Sequence, residues 1–284
     1  MIREVTRKSL KIRESGRSTD FISPSFGFGC LYNCSYCYMK RHKMHGLDYA
    51  TNTQTILTAI NNHVCFTEVK KPNQTHEEYT TYDISCNEDF ALHIKYHDWE
   101  SIFNFFKFHD TAMGSFATKY VNHKLRDYDP EGKIRIRFSL MPQNMSSIHE
   151  PGTSKIIDRI QAIDLFIAAG YDVHINFSPV IVYEGWMKDY ENLFKLVNKH
   201  VNNKDKVKAE VIFLTHNVNK HLTNLTKHKE AEEYLWVPKL QEGKISQYGG
   251  NNIRYKRKLK SEMIKMFKGL HSKVIPWNKI RYIF

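Results

Sequence analysis

The stretch Gly29-Cys30-Leu31-Tyr32-Asn33-Cys34-Ser35-Tyr36-Cys37-Tyr38 gathers three cysteines, with three and then two residues between them. Five cysteines scattered at random along the chain would produce this pair of spacings under ~0.001 times. Thiolates are the usual ligands of iron–sulfur clusters, and three of them leave one iron of a 4Fe-4S cube without a protein ligand. That iron can bind something else. A second reading takes Cys34, Cys37, His42 and His45 as a small zinc site of the kind used by nucleic-acid-binding knuckles. It leaves Cys30 unexplained, and its histidine gaps are unusually short.

Outside this loop the composition is that of an ordinary globular chain: 284 residues, 41% apolar and 25% charged. A disordered chain is excluded, and so is a secreted disulfide framework, for which five cysteines are too few and too unevenly placed. Metal binding or catalysis in a reducing compartment is the expectation. No apolar run reaches the length of a membrane span, and residues 1–10 are charged with no apolar segment behind them, so a cytoplasmic protein without membrane contact is expected. The net charge of +12 makes a polyanionic partner plausible without naming one.

Strand and helix patterns alternate along the chain. Residues 21–25 read as a short strand entering the cysteine loop. Ile56, Ile60 and Val64 recur at helical spacing and predict a helix over 52–64. The polar stretch 70–78, with Pro72, reads as a loop. Further strands are predicted over 79–85, 115–121, 134–140, 173–177 and 207–214. Helices are predicted from Asp98 through Ile102, Phe105 and Phe106, over 154–169 with a stop at Gly170, and over 189–201. In 134–140, Ile134, Ile136, Phe138 and Leu140 alternate with Arg135, Arg137 and Ser139, the pattern of a half-buried strand.

Such alternation implies a parallel sheet. A complete eight-unit barrel usually takes ~250 residues, and about six units can be counted here. The expected fold is therefore α/β, a partial, open TIM-type barrel with its site at the C-terminal ends of the strands. One domain is expected over 1–284, with a short basic N-terminal arm (1–19) and a C-terminal hairpin and basic region (about 243–284). In that region 247–255 contains Gly249, Gly250, Asn251 and Asn252, a turn-rich centre suited to a β-hairpin. A basic helix and a last strand over 280–284 follow.

The cysteine motif resembles that of the radical S-adenosylmethionine (SAM) superfamily, and the tyrosines on both sides of Cys37 resemble the spore photoproduct lyase family within it. Three further stretches agree. Tyr82-Asp83-Ile84-Ser85-Cys86-Asn87-Glu88-Asp89 is similar to the segment carrying that family's hydrogen-donating cysteine. Arg137-Phe138-Ser139, followed by Glu150-Pro151-Gly152-Thr153-Ser154, is similar to its fourth strand and the next helix start, and Glu184-Gly185-Trp186 to a later loop.

The resemblance implies a carbon–carbon lyase that uses a 4Fe-4S cluster and SAM to repair a thymine dimer in DNA. In that family a deoxyadenosyl radical abstracts hydrogen from C6 of the dimer, the methylene bridge breaks, and a thiol quenches the thymine radical. It implies Cys30, Cys34 and Cys37 as cluster ligands, Cys86 as the hydrogen donor, and Tyr36 and Tyr38 as the relay that restores SAM. Lys119, Ser139, Glu88 and Asp89 fall where the family binds SAM, and a cation and a hydroxyl suit its carboxylate. A salt-bridged lysine and a capped serine are the plainer readings of Lys119 and Ser139. Glu150 and Glu184 read equally well as ordinary helix and loop acids.

Tyr248 in the hairpin, with Arg254, Lys256, Arg257 and Lys258 beside it, is expected to bind DNA, the cations through salt-dependent phosphate contacts. An external electron donor such as a flavodoxin or ferredoxin is implied as a partner. Cys65 is expected to be a buried, inert thiol at a helix end.

Departures from the family pattern are also visible. Only 29 residues precede Cys30, fewer than relatives carry. Glu88 stands where a serine that contacts SAM is usual, and Gln247 stands where an arginine is expected. A related activity, modification or rearrangement of a C5-substituted pyrimidine in DNA, is the alternative within the superfamily. A non-enzymatic, zinc-stapled nucleic-acid-binding module is the alternative outside it.

Overall fold

A computed structural model describes residues 1–41, 46–245 and 250–284. Its first third contains β1 (Ile2–Val5), β2 (Arg13–Glu14), β3 (Phe21–Ile22), β4 (Gly27–Cys30), β5 (Gly46–Ala50), α1 (Thr53–Phe66) and β6 (Thr80–Asp83). The middle contains α2 (Phe90–His93), α3 (Trp99–Lys107), β7 (Ala112–Thr118), β8 (Ile134–Ser139), α4 (Gln143–His149), α5 (Ile156–Ala168), β9 (Asp172–Val180) and α6 (Trp186–His200). The last third contains β10 (Lys208–Phe213), β11 (Thr215–Asn217), α7 (Val218–Lys227), α8 (Lys229–Leu235), β12 (Gln241–Ile245), β13 (Asn251–Tyr255), α9 (Arg257–Val274) and β14 (Lys279–Ile283).

Eight of these strands form one sheet in the order β14-β10-β9-β8-β7-β6-β3-β2. Every neighbouring pair in it is parallel except β2 with β3. This is the partial, open TIM-type barrel expected from the sequence: six parallel strands, β3 and β6 through β10, with α-helices in the connections except that between β7 and β8, and a last strand, β14. No ladder joins the two ends among the described residues. Side chains bridge them instead: Ser18 Oγ lies 2.5 Å from Tyr282 Oη, and Arg281 Nη2 donates to the Ser18 carbonyl at 3.1 Å.

The alternation in β8 has a different meaning from the one expected. All six of its residues are buried, so neither face meets water. Ile134, Ile136 and Phe138 pack into the apolar layer under the helices, where Phe138 meets Phe166 of α5 edge to face at 5.5 Å. Arg135 and Arg137 turn into the barrel and pair with Asp172 at 2.6 Å and Asp83 at 2.8 Å. A parallel sheet is covered on both faces, so here the polar half of the pattern marks an ionic interior.

That interior is a connected set of charges. Arg137 reaches both Asp83 on β6 and Glu210 on β10, and Arg281 and Tyr282 of β14 also bond Glu210. Burial alone would raise the Glu210 carboxyl, but the guanidiniums of Arg137 and Arg281 hold it down at about 2. Burial pushes the His174 imidazole down to about 4 despite the opposing charge of Asp172.

Strand β7 begins three residues before the predicted start. Gly114, inside this added stretch, is a packing residue: a Cβ there would come within 2.9 Å of both Ile134 and Phe106 of α3. Gly170, with φ of +89°, stops the chain just beyond α5 as expected. The arm is also more ordered than its sequence suggested, because β1 pairs with β5, which pairs in turn with β4. Helices α7 and α8 were not foreseen. Cys65 is exposed at the end of α1, a correction to the buried thiol expected there. Among the described residues no helix is long and apolar enough to cross a membrane.

Candidate active site

A cavity of about 440 Å³ opens at the C-terminal ends of the barrel strands, within the size range of small-molecule sites. Cys30, Cys34, Cys37 and Cys86 all line it, as do Tyr36, Tyr38, Lys119 and Ser139. Sequence-distant residues singled out by motif therefore share one chamber. Glu88 and Asp89 contribute to its wall as well.

Strand β4 delivers the cysteine loop, with Cys30 its last residue, and the loop is anchored on its outer side by α4, α7 and the junction between α7 and α8. His149 of α4 accepts the Ser35 amide on its carbonyl at 2.9 Å, and its Nδ1 lies 2.7 Å from Ser35 Oγ. Asn224 of α7 donates to the Ser35 carbonyl at 2.9 Å. His228, between α7 and α8, lies 3.1 Å from Asn33. Asn224 is itself held by Glu232 of α8, which also bonds His216 of β11 and His221 of α7. None of these anchors was legible as a motif.

Cys34 is buried, and burial raises its thiol well above the ordinary range, with Glu150 adding to the effect and Lys119 opposing it. A metal ligand must be deprotonated, so this thiol needs strongly positive irons to ionise. Among the described residues no group of side chains is gathered tightly enough to hold a single metal ion. A four-iron cube spaces its ligating sulfurs more widely than one ion does, and three thiols on one cavity wall fit it. His42 and His45, the other half of the zinc reading, lie outside the described residues.

Cys86 sits in the loop after β6. Tyr38 Oη donates to its carbonyl and lies 3.8 Å from its sulfur. Burial and the Asp83 carboxylate push the Cys86 thiol up, outweighing Tyr38, Arg13 and Arg137. It therefore remains a protonated thiol at neutral pH. Tyr36 Oη donates to Glu150, whose carboxylate also meets Arg159 at 2.9 Å and Ser146 at 3.0 Å. Burial would raise Glu150, but Arg159 and Lys119 hold it below its ordinary value. Glu150 thus supports Tyr36, a role its sequence context did not announce.

The expected SAM contacts divide into two groups. Lys119 and Ser139 face the cavity, and the Lys119 ammonium lies 5.8 Å from the Tyr36 ring. Asn176 joins them from β9 with a buried Oδ1 that has no hydrogen-bond partner. Its place between His174 and Ser178, on the polar face of an apolar strand, was the overlooked signal. Asp89 is occupied by protein donors: the Leu92 amide at 3.2 Å, the Thr118 hydroxyl at 2.7 Å and the Lys119 amide at 2.9 Å. Glu88 accepts from His93 at 3.0 Å and His97 at 2.9 Å, and lies flat against Gly27, where a Cβ would come within 2.3 Å of its carboxylate.

Of the residues expected at DNA, Arg254 pairs with Glu242 across the hairpin at 3.0 Å, and Lys256 donates to the Lys239 carbonyl at 2.9 Å. Arg257 and Lys258 are exposed at the start of α9. Tyr248 and Gln247 lie outside the described residues.

Comparison with known proteins agrees with this architecture. The sequence profile of the spore photoproduct lyase family matches residues 3–284. Spore photoproduct lyase of Bacillus subtilis is 29% identical over 192 residues, a match covering 66% of this chain and 54% of that protein. The Geobacillus enzyme is 24% identical over 281 residues, covering 97% of this chain and 80% of that one. A solved spore photoproduct lyase complexed with dinucleoside spore photoproduct superposes with a TM-score of 0.84 at 21% identity, over 100% of this chain and 82% of that one. A variant with bound AdoMet and the same dinucleoside gives 0.83 at 20% identity, with equal coverage. A profile match spanning nearly the whole chain, on a half-barrel of the same shape, makes this chain a member of the spore photoproduct lyase family.

Proposed function

We propose that this chain is a radical SAM lyase that reverses a methylene-bridged thymine–thymine lesion in DNA. One observation carries the reading: the three motif cysteines and a protonated Cys86 thiol, 49 positions beyond Cys37, line the same cavity. The family to which the chain belongs contains proteins solved with AdoMet and with the dinucleoside lesion.

Cys30, Cys34 and Cys37 would hold the 4Fe-4S cluster, leaving one iron for SAM. When bound, cluster and SAM supply a hydrogen-abstracting carbon radical, given one electron from an external donor. Lys119, Ser139 and Asn176 would receive the methionyl end: the ammonium suits a carboxylate, and the unpartnered Asn176 Oδ1 suits an amino group. The polar lumen beneath keeps these groups in fixed orientations, because Arg137 cannot leave Asp83 and Glu210 without exposing a buried charge.

Cys86 donates the hydrogen atom that ends the reaction. Its S–H bond breaks, a C–H bond forms on the thymine radical, and the unpaired electron moves to sulfur. A thiol is the better hydrogen-atom donor than a hydroxyl, and burial keeps Cys86 as the thiol. Tyr38 is in place to return a hydrogen atom to that sulfur, its O–H breaking as S–H re-forms. Tyr36, bonded to the Glu150 carboxylate, is the second member of the relay.

The test is anaerobic reconstitution with iron and sulfide, then incubation with reductant, SAM and the dinucleotide lesion. Two thymines should be restored per lesion lost. Release of 5'-deoxyadenosine while the lesion stays intact would sink the proposal.

A further inference from the structure

Cations from the arm and α9 gather around Phe284, which lines the cavity. Arg17 Cζ lies 4.0 Å from the Phe284 ring centroid and Lys260 Nζ lies 5.6 Å from it. In the hairpin register Glu242 faces Arg254 and Lys244 faces Asn252. Side chains alternate along a strand, so Lys244 and Arg254 share one face of the hairpin. That face adjoins α9, which begins two residues after β13 ends; burial lowers the Lys260 ammonium from its ordinary value, and Lys244, Arg254 and Arg17 lower it further.

Among the described residues Glu242 answers one of these charges, through its bond to Arg254. Among the described residues no carboxylate stands within ion-pair distance of Arg17, Lys244 or Lys260. Like charges brought together from three parts of a chain repel, and an anion seated among them removes that cost. A guanidinium and ammonium groups beside a half-buried ring that lines the cavity suit a phosphate that belongs to a nucleotide, since the ring gives the attached sugar and base an apolar surface.

We propose that Arg17, Lys244, Arg254 and Lys260 form a phosphodiester-binding site at the mouth of the cavity, seating the phosphate that links the two target nucleotides. The site rests on the DNA reading above and adds to it a reason for the cavity to prefer a continuous strand over free nucleosides. Arg17 and Lys244 carry no such role in the sequence motifs.

The test uses the holoenzyme in wild-type form and as Arg17→Gln, Lys260→Gln and the double variant, with Lys273→Gln at the far end of α9 as a control. Iron content and circular dichroism establish that each variant is loaded and folded. The probes are the methylene-bridged thymidine dimer with and without its linking phosphodiester, and an undamaged duplex oligonucleotide. Wild type should bind the phosphate-bearing dimer at least tenfold more tightly than the phosphate-free one. The double variant should lose that preference, while its affinity for the phosphate-free dimer stays within twofold. Arg17→Lys with Lys260→Arg should restore it. For the duplex, the slope of log affinity against log salt should fall by about 0.9 for each phosphate contact removed, and Lys273→Gln should leave it alone. Equal affinity of wild type for both dimers, or a preference that survives in the double variant, overturns the site. If wild type binds neither dimer, the lesion reading fails and the duplex decides: an unchanged salt slope in the double variant rejects the phosphate site too.

Discussion

Glu88→Gln removes one negative charge from a side chain that is fully buried. Both of its imidazole neighbours aim at the same oxygen, His93 Nδ1 at 3.0 Å and His97 Nε2 at 2.9 Å. His93 Nε2 accepts the Leu31 amide at 3.3 Å, so Nδ1 carries the proton and the network ends beside Cys30. Burial alone would raise the Glu88 carboxyl, but His97 and His93 overcome it and hold the group at about 2, against an ordinary 4.5. Because the folded value is the lower one, the unfolded chain binds more protons between these limits. Stability from Glu88 is therefore complete above about pH 4.5 and is lost as pH falls toward 2. The shift corresponds to about 3 kcal/mol at neutral pH. Glutamine keeps an acceptor for the histidines but has no charge to titrate. Urea unfolding of the apoprotein at pH 7 should show the variant less stable by about that amount, and by pH 3 the gap should close by more than half. A gap of constant size from pH 7 to pH 3 would refute the reasoning, since it would locate the effect in packing and not in the carboxylate.

Cys86→Ala should leave SAM cleavage within a few-fold of wild type while thymine restoration falls at least tenfold, with adducts of the unquenched radical appearing by chromatography. Intact repair in that variant would remove Cys86 from the mechanism. Arg137→Met removes the guanidinium shared by half-buried Asp83 and buried Glu210, which keeps Arg281, and should destabilise the apoprotein by about 1–3 kcal/mol in a denaturant melt; no measurable change would contradict the ionic interior. Glu232→Leu leaves the donors of His216, His221 and Asn224 without their common acceptor, at a cost of about 1–3 kcal/mol. Amide exchange across residues 33–37 should accelerate at least tenfold, whereas unchanged protection would show that Asn224 holds the loop without help.

What the sequence disclosed was local and periodic. Three cysteines at short spacing, the Cys86 segment and six alternating units each lie within a window of a few residues, and each kept its place in the fold. What it concealed depends on which way a side chain turns. The Arg135 and Arg137 positions of β8 look solvent-facing because water and an ionic barrel interior select the same residue types. Glu150 and Asn176 look ordinary until distant strands bring them to Tyr36 and Lys119. Helix α7 was missed although Val218, Leu222 and Leu225 recur at helical spacing, and its buried positions are the polar Lys220 and Asn224, not the leucines. Glu88 is the sharpest case: its charge looked misplaced for SAM binding, and its histidine partners lie five and nine positions further on, within reach but unmarked by any motif.

These concealed contacts share a mechanical consequence. A loop that presents three thiolates cannot rely on its own backbone for rigidity, since the residues between the cysteines form no regular ladder after Cys30. Its position must come from outside, and the anchors approach from two directions. On one side His93 holds the Leu31 amide and is fixed in turn by Glu88, two residues from Cys86, the proposed hydrogen donor. On the other side Asn224 holds Ser35 through Glu232, which also grips His216 at the root of the hairpin sheet. The distance between the cysteine loop and Cys86 is thus set by Glu88, and the distance between that loop and the hairpin by Glu232. Reaction geometry of this kind tolerates displacements well under 1 Å, so the two buried carboxylates Glu88 and Glu232 would govern the alignment on which the proposed radical transfer depends.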